Sequence, residues 1–405
     1  MSVNTMDFEQ VSTVLTLIVE QATGQTVQTP TDTGSFVSVA QIALRTGRDA
    51  VMNAISNIIG RTIFSVRPYS AKLTGLEMDT FRWGAMMRKL SIADNDWEDD
   101  PAYAYPVFYD AGQNPPDGEG LSVDRWQIKK PNILETNFYG QSIYSDHMTI
   151  TEDQLETAFS GPEQLGSFLG LIMTNLQNRL ESSNEAIRRG ILCNAVAALY
   201  DENNATRVIK LLTEYNTLTG LSLDAQTVYD PANFSDFVQW AYSRVAQITD
   251  LFTQRTTLFQ TNITGKPVIR HTPYENQRVY LYSPFQRQTE ARVLADTFHD
   301  NYLKYADVET IPFWQSTDAN KMDEVLAKPA YVDVTGTLVT PQNAVNVEHV
   351  FGLIFDQDAM GMTTLDRRVL STPVNEAGLY RNIWVHCKQR CVFDNTEKVA
   401  LLVLE

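Results

Sequence analysis

Histidine is scarce in this sequence and is not arranged as a recognisable active site. The five histidines are His147, His271, His299, His349 and His386. None lies in a His-Glu-x-x-His zinc motif or accompanies a Gly-x-Ser-x-Gly nucleophile turn. Asp146 directly precedes His147 and could orient its imidazole, but no nucleophile signature goes with the pair. We therefore expect structural or solvent-facing roles for the histidines.

The cysteines offer at most a partial metal site. There are three, Cys193, Cys387 and Cys391, which gives no paired disulfide framework and favours a reducing compartment. Cys387 and Cys391 could share one face of a strand close to His386. Zinc would need a fourth ligand and usually a C-x₂-C spacing. We interpret these cysteines as small buried thiols and predict no metal ligand and no cofactor.

Two further segments have some features of ligand-binding loops. The run from Asp94 to Asp100 is weakly similar to a calcium loop, but it lacks glycine at the sixth position and glutamate at the twelfth. A solvated acidic loop is favoured, and weak divalent binding at a subunit interface stays open. Gly265-Lys266-Pro267 lacks the remaining residues of a phosphate loop. We predict no catalytic, cofactor-binding or metal-binding residue, and no enzyme.

Composition and charge exclude several classes of protein. The chain has 405 residues, of which 43% are hydrophobic, so it can bury a large core. A net charge of −17 repels phosphate backbones and argues against a dedicated nucleic-acid binder, although not against a container with an acidic inner wall. The early apolar stretch Val14–Val19 lacks the flanks of a signal peptide, and no segment is apolar for long enough to suggest a membrane span. We expect synthesis in the cytoplasm.

The strongest local pattern predicts one very long helix. Apolar residues recur at helical spacing through Leu165, Phe168, Leu169, Ile172, Met173, Leu176 and Leu180, and continue through Ile187, Ile191 and Val196. This predicts a nearly unbroken helix from about Glu163 to Tyr200, on the order of 60 Å long at about 1.5 Å per residue. Ordinary helices average about 11–12 residues, so such a helix would be an architectural beam.

An acidic segment before that helix predicts a protruding hairpin. Residues 91–125 contain nine acidic residues, one arginine and no lysine. The turn cluster from Asn114 to Gly120 separates two strand-like runs. The segment is too polar to own a core, so we expect it to pack on something outside its own subunit.

The remaining patterns predict an α+β fold, because helices and strands alternate without βαβ regularity. The predicted helices are Phe8–Gln21, Asp49–Gly60, Pro231–Thr253 and Pro284–Asp296, with an extended polar arm over Gly24–Ser35. The predicted strands are Thr62–Val66, Val279–Tyr282, Val308–Phe313, Val350–Phe355, Tyr380–Cys387 and Val392–Val403.

The order of these elements resembles the shell fold of tailed-phage major capsid proteins, which encapsulins and the herpesvirus capsid floor share. The chain is most similar to the major head proteins of short-tailed phages with small genomes. The resemblance rests on the tract Trp126–Tyr144, the segment Asp153–Phe159, Arg278–Phe313 and the tail from Gly378 to Val403. The stretch Ser316–Asn346 departs from it by being longer.

The resemblance implies a division of the chain into arm, loop and two domains. Residues 1–48 would form an N-terminal arm, 49–90 the first part of a peripheral domain, 91–150 an extended hairpin loop over a neighbour, 151–212 the spine helix of the peripheral domain, 213–375 an axial domain, and 376–405 closing strands shared by both domains.

The function implied by the resemblance is self-assembly into an icosahedral or prolate phage head. The implied partners are further copies of the chain in hexamers and pentamers, a separate scaffolding protein, a portal protein at one vertex and packaged double-stranded DNA without specific binding. An encapsulin-type nanocompartment shell and an acidic cytoplasmic hydrolase remain alternatives.

Two expectations about the mature shell also follow from the resemblance. Residues 91–125 lack the lysine that crosslinked shells use on this loop, and Lys129 and Lys130 come only on the returning strand. We therefore expect no covalent crosslinks. We also expect no maturation cleavage, with the helix Phe8–Gln21 docked on an adjacent subunit.

Overall fold

The described part of the chain is an α+β fold, as the sequence predicts. The computed structural model describes residues 8–46, 50, 51, 54, 55, 69–78, 86–93, 126, 132–139, 142–262, 268–285, 287 and 307–405. The helices are α1 (Phe8–Thr23), α2 (Thr33–Thr46), α3 (Glu152–Ala158), α4 (Pro162–Glu202), α5 (Leu211–Thr219) and α6 (Pro231–Thr253). The strands are β1 (Met86–Ala93), β2 (Asn132–Tyr139), β3 (Ser142–Thr151), β4 (Val208–Lys210), β5 (Gln277–Tyr282), β6 (Asp307–Ile311), β7 (Val325–Ala327), β8 (Tyr331–Val332), β9 (Leu338–Val339), β10 (Val345–Val347), β11 (Val350–Asp356), β12 (Met360–Ser371), β13 (Tyr380–Phe393) and β14 (Val399–Val403).

The predicted beam is helix α4, hereafter the spine helix, and it is unbroken over 41 residues. Pro162 lies in its first turn, where a missing N–H costs nothing. Asn203 ends it in the left-handed conformation with φ of 49°. The predicted burial is confirmed for Leu165, Leu169, Ile172 and Leu176. The side chain of Met173 lies outside what the structure describes.

A five-stranded sheet forms the main core in the order β4-β14-β11-β5-β6. Its central strand, β11, is buried along its whole length, so it carries apolar residues on both faces. Leu353 and Phe355 pack in the cluster that contains the second half of the spine helix. Phe351 and Ile354 point to the other face and pack with α5 and α6. The sheet is therefore covered by helices on both sides.

The first half of the spine helix packs on a second sheet, in the order β12-β13-β3. Ile383, Val385 and Cys387 of β13 are buried on the face toward the helix. The two closing strands thus belong to different sheets, β13 to this one and β14 to the five-stranded one. The first closing strand runs on to Phe393, so the prediction that Val392 begins the second strand is wrong.

The N-terminal arm folds back onto its own subunit. Leu15 and Ile18 of α1 and Phe36 of α2 are fully buried in one cluster with Leu165 and Leu169 of the spine helix. The prediction that the apolar face of α1 docks on a neighbour is therefore wrong, because that face is already covered. Helix α2 was not predicted and begins at the end of the predicted extended arm Gly24–Ser35, where reciprocal bonds between Asp32 and Ser35 cap its first turn.

The long stretch Ser316–Asn346 forms short strand pairs that pack against the second half of the spine helix. Val325 and Val347 are fully buried in the same cluster as that half of the helix. The side chain of Asn194 bonds both backbone groups of Ala330, at 2.8 Å and 3.2 Å. The segment is thus fixed to the body at its base.

Other predicted elements have mixed outcomes. Helix α6 has the predicted bounds, and strands β5, β6 and β11 are confirmed to within a few residues. Strand β12 and helix α5 were not predicted. Strand Thr62–Val66, most of helix Asp49–Gly60 and most of helix Pro284–Asp296 lie outside the described residues.

Candidate assembly site

The described strands β1 and β2 pair antiparallel, from Met86 opposite Tyr139 to Ala93 opposite Asn132. The last residue of β1, Ala93, therefore lies beside the first residue of β2, Asn132. The acidic residues 94–125, including the weak calcium-loop motif, lie outside the described part of the chain. The β1–β2 pair, hereafter the hairpin base, flanks the segment for which the sequence predicts a protruding hairpin.

The two faces of the hairpin base differ in exposure, because side chains alternate along a strand. Ser91 and Ala93 of β1 are buried toward the body. Ile92 is 63% exposed and lies opposite Ile133, which is 60% exposed. Leu90, on the same face as Ile92, is 59% exposed. An apolar cross-strand pair therefore points away from the rest of its own described subunit.

Buried ion pairs fasten the inner face to the body. Lys89 Nζ lies 2.5 Å from Asp394 Oδ2 and also contacts the carboxylate of Glu397. Arg270 contacts Glu397 as well, and its Nη2 donates to Ser91 Oγ at 2.9 Å. The side chains of Asp394 and Glu397 are only 3% and 8% exposed. Charges buried to this degree depend on their partners.

Both carboxylates belong to the turn Asp394–Lys398, hereafter the buried turn, between β13 and β14. All five residues are buried. Asn395 donates to Val332 O at 2.6 Å, which ties the turn to β8. Lys398 Nζ donates to Gln254 O at 2.7 Å and Phe252 O at 3.2 Å, so it caps the C-terminal end of α6. The turn joins the hairpin base to several parts of the body.

The local electrostatics follow from this burial. Burial alone would raise the pKa of Asp394, but Lys89 and the hydrogen bonds from Thr396 outweigh it and hold that pKa below its usual value. For Glu397, burial outweighs Lys89 and Arg270 and raises the pKa. Burial would lower the pKa of Lys89, but the two carboxylates outweigh it and raise the pKa.

The sequence did not single out Asp394-Asn-Thr-Glu as a site, because the segment lies within the predicted strand Val392–Val403. Nothing in the local sequence distinguishes a buried polar turn from an exposed one, since both carry the same residue types. The one weak indication of burial was the run of Val and Leu that follows this turn, because such a run implies that the next strand is buried.

Of the described histidines, two share one aromatic stack and the other two lie elsewhere. His147 stacks on Trp384 with 4.4 Å between ring centroids, and Trp384 stacks on His386. The carboxylate of Asp146 pairs with Arg179 of the spine helix. His349 Nδ1 lies 2.9 Å from Asp323 Oδ2. His271 is exposed and His299 lies outside the described residues.

The cysteines do not come together either. Cys193 and Cys387 are buried and Cys391 is exposed. Burial raises the pKa of Cys193 to about 11, and its Sγ donates to Trp314 O. In the part of the chain that the structure describes, no three His, Cys, Asp or Glu side chains are placed to hold a metal ion. Of the helices described, none has the length and apolar character to cross a bilayer.

Comparison with known proteins places this fold among viral shell proteins. The sequence model of the Phi29-like phage major capsid protein family matches residues 15–403. Because the match spans nearly all of its length, the chain belongs to that family. No curated protein sequence is a detectable relative.

One solved capsid structure supports the fold, and two further phage structures are similar to a lesser degree. The capsid structure of Staphylococcus phage Andhra matches with a TM-score of 0.52 at 9% identity, covering 85% of this chain and 87% of that one. A chain from native bacteriophage P68, from a structure of its head fiber and inner core protein, matches with a TM-score of 0.48 at 10% identity, covering 85% and 87%. A chain from the capsid of cyanophage P-SCSP1u matches with a TM-score of 0.42 at 12% identity, covering 85% and 90%.

The family and the fold define a structural protein that forms the shell of a phage virion, not an enzyme. The prediction of a tailed-phage major capsid protein is confirmed. The family match favours the phage shell over both alternatives, the encapsulin-type compartment and the hydrolase.

Proposed function

We propose that the subunit closes its shell, as hexamers and pentamers, by placing the outer face of the hairpin base, and the hairpin that it begins, against a neighbouring copy. The observation that carries this is the hairpin base, which is ion-paired to the body on one face and carries the exposed apolar residues Leu90, Ile92 and Ile133 on the other, beside the ion pair of Arg88 and Glu135. Ile92 and Ile133 form a cross-strand pair, and each residue exposes more than half of its surface to solvent. A subunit that assembles with its copies would bury such a pair in a contact.

The proposed domain organisation keeps the boundaries expected from the sequence: arm 1–48, peripheral domain 49–90 and 151–212, hairpin 91–150, axial domain 213–375 and closing strands 376–405. Two observations support it. The first half of the spine helix packs with β3 and β13, and the second half packs with the five-stranded sheet. The closing strands β13 and β14 divide between these two sheets.

The proposed partners follow from the same role. A separate scaffolding protein would guide assembly, a portal protein would occupy one vertex, and double-stranded DNA would be enclosed without specific binding. The net charge of −17 supports the last point, because an acidic wall repels phosphate and lets DNA move during packaging.

The test is Ile92→Asp on the exposed face of the hairpin base. Because Ile92 is 63% exposed, the subunit should fold with unchanged thermal stability. Its particles, viewed by electron microscopy, should be absent or incomplete. Leu338→Asp, at a site 65% exposed in the Ser316–Asn346 segment, is the matched control and should assemble normally. Normal closed shells from the Ile92 variant would contradict the proposal.

A further inference from the structure

Strand β3 is an edge of the three-stranded sheet that packs on the first half of the spine helix. One side of its backbone pairs with β13 along its whole length, without a shift in register. On the other side, the N–H group of His147 donates to the Asp146 carboxylate at 2.8 Å. The N–H group of Thr151 donates to the Gln154 side chain at 3.3 Å. Because backbone groups alternate in direction along a strand, the N–H groups of the odd-numbered residues point to this second side, hereafter the free edge.

The free edge has open hydrogen-bonding positions. Within the part of the chain that the structure describes, the N–H groups of Ile143, Ser145 and Thr149 have no partner. Residues 142–145 are exposed on both faces of the strand. The strand also lacks the proline, lysine or bulge that usually protects an edge from pairing with another chain. Strand β3 can therefore accept a further strand beside it.

Two grooves follow one another along β3, between this strand and the spine helix. The first, of about 510 Å³, lies beside Tyr144–Asp146, and the second, of about 560 Å³, lies beside Met148–Ile150. Successive residues of a strand point to opposite faces, so a groove lined by successive residues reaches the edge of the strand and not only its underside. On the helix, the lining includes Leu176 and Leu180 in the first groove and Leu171 in the second. The grooves thus occupy the place where a fourth strand of the sheet would cover the helix.

The two grooves carry little net charge. Among the described residues, the charged groups that line the first groove are Asp146 and Arg179, which pair with each other. The lining of the second contains one charged residue, Asp153. Leu171 in the second groove is 73% exposed, so an apolar surface is open to water there. Permanent contacts between copies of one chain are apolar in this way, whereas complementary charge is the usual means of selecting a different partner.

We propose that a second copy of the chain adds an extended segment to the free edge of β3, so that the sheet continues from one subunit into the next. This inference rests on the proposed assembly of copies. In strand addition, backbone hydrogen bonds supply affinity and alternate side chains of the added strand enter pockets beneath it. Those side chains would fill the two grooves and remove Leu171 from water. No described residue of the hairpin base lines either groove, so this is a second and separate contact between copies.

The direct test compares amide hydrogen exchange in full-length unassembled subunits and in closed shells. In the subunit, the amides of Ile143, Ser145 and Thr149 should exchange rapidly. In the shell, they should exchange at least about tenfold more slowly, because each donates to the added strand. The amides of Tyr144 and Asp146 point to β13 and serve as the internal control, since they should be slow in both states. Rapid exchange of all three free-edge amides in closed shells would overturn the proposal.

Ser145→Pro tests the backbone contact itself. It removes one N–H group from the free edge and leaves the pairing with β13 intact, a position at which strands tolerate proline. The unassembled variant should unfold at the same temperature as wild type, and its yield of closed shells should fall at least about tenfold, because every subunit loses the same contact. Ser145→Thr keeps the N–H group and should assemble normally. A normal yield from a folded Ser145→Pro variant would overturn the proposal. If that variant does not fold, Leu171→Asp decides in its place, with the same two outcomes.

The hairpin variant separates this proposal from the assembly proposal. Normal shells from Ser145→Pro, together with none from Ile92→Asp, would overturn the strand addition and leave the hairpin contact standing. Reconstruction of wild-type shells identifies the occupant. A strand of a neighbouring subunit should lie about 4.8 Å from β3. Solvent at the free edge, or a strand from a different protein, would overturn the proposal even if the shells are closed.

Discussion

At the scale of single residues, Lys89 is the connection between the hairpin base and the buried turn. Its ammonium group lies between the carboxylates of Asp394 and Glu397, while the side chain itself is 20% exposed. Glu397 has a second cation in Arg270. Asp394 therefore depends on Lys89 more than Glu397 does.

Replacing Lys89 by methionine should lower the free energy of unfolding by about 3–5 kcal/mol, because it leaves the carboxylate of Asp394 buried without its cation. Denaturant unfolding of the unassembled subunit measures this. Arg88→Met is the matched control, since Arg88 and its partner Glu135 are 55% and 36% exposed. That exposed pair should contribute little to the free energy of unfolding, because water screens it. Equal losses from both variants would contradict the role given to the buried pair.

Lys398 gives the buried turn a pH dependence of its own. Burial, opposed in part by Asp356, lowers its pKa to about 8 from an ordinary value of 10.5. The unfolded chain therefore binds the proton more tightly, and unfolding takes up a proton between these two pH values. The contribution of Lys398 to the free energy of unfolding should thus rise with pH across that window.

The measurement is denaturant unfolding of wild type and Lys398→Met between about pH 7 and pH 10. The wild type should gain stability relative to the variant as the pH rises above about 8. A difference that stays constant over this range would show that Lys398 titrates as in the unfolded chain.

The residues of this cluster could not be predicted as a site from the sequence. Lys89, Arg270 and Asp394 are far apart in the chain, and each lies in a segment whose local composition fits a solvated surface. Their common environment is created by the pairing of β13 and β14 with other strands. Local sequence carries no information about that pairing.

At the scale of elements, the predictable parts were those whose pattern is long and periodic. The spine helix and α6 each show an apolar stripe at helical spacing over many turns. Strand β12 was missed because its second half carries Asp366, Arg367 and Arg368, and its pairing with β13 has an irregularity after Thr364. Strand β12 forms because it pairs with β13, and the strand propensity of its own residues would not have predicted it.

Helix α2 was missed for a different reason. The threonine-rich stretch before it suggested an extended arm. The spacing of Asp32 and Ser35 is nevertheless typical of a helix N-terminus, and the two residues do cap α2. The placement of α1 was unpredictable in principle. An amphipathic stripe shows that a face will be covered, but not whether its own chain or a neighbour covers it.

The spine helix provides a prediction at this scale. Leu176 is 3% exposed and packs with Val385 and Cys387 of β13. Leu176→Asp should abolish soluble subunits and assembly, because it places an unpaired charge between helix and sheet. Leu171→Asp, on the same helix but 73% exposed, is the control and should remain soluble. The soluble fraction after expression measures both, and a soluble Leu176 variant would contradict the packing described.

At the scale of the whole molecule, the order of elements carried more information than any one of them. No single segment identifies the family, yet the sequence of arm, hairpin, spine helix, mixed core and closing strands does. What the order could not give is the set of contacts between copies, because these depend on surfaces brought together only by folding.

The shell should be held by non-covalent contacts. The hairpin segment 91–125 contains no lysine, so it lacks the nucleophile for a crosslink to a neighbour. Mature particles boiled in denaturant should therefore give a single band near 45.7 kDa on a gel. A ladder of covalent multimers would contradict this.

The central claim is that this chain builds a closed shell through its hairpin, and cryo-electron microscopy of assembled particles tests it most directly. The protein would be expressed together with its neighbouring phage genes and the particles reconstructed to side-chain resolution. The account predicts closed shells of hexamers and pentamers in which a neighbouring subunit covers Ile92 and Ile133. Discrete small oligomers, or shells in which that face of the hairpin base remains open to solvent, would contradict it.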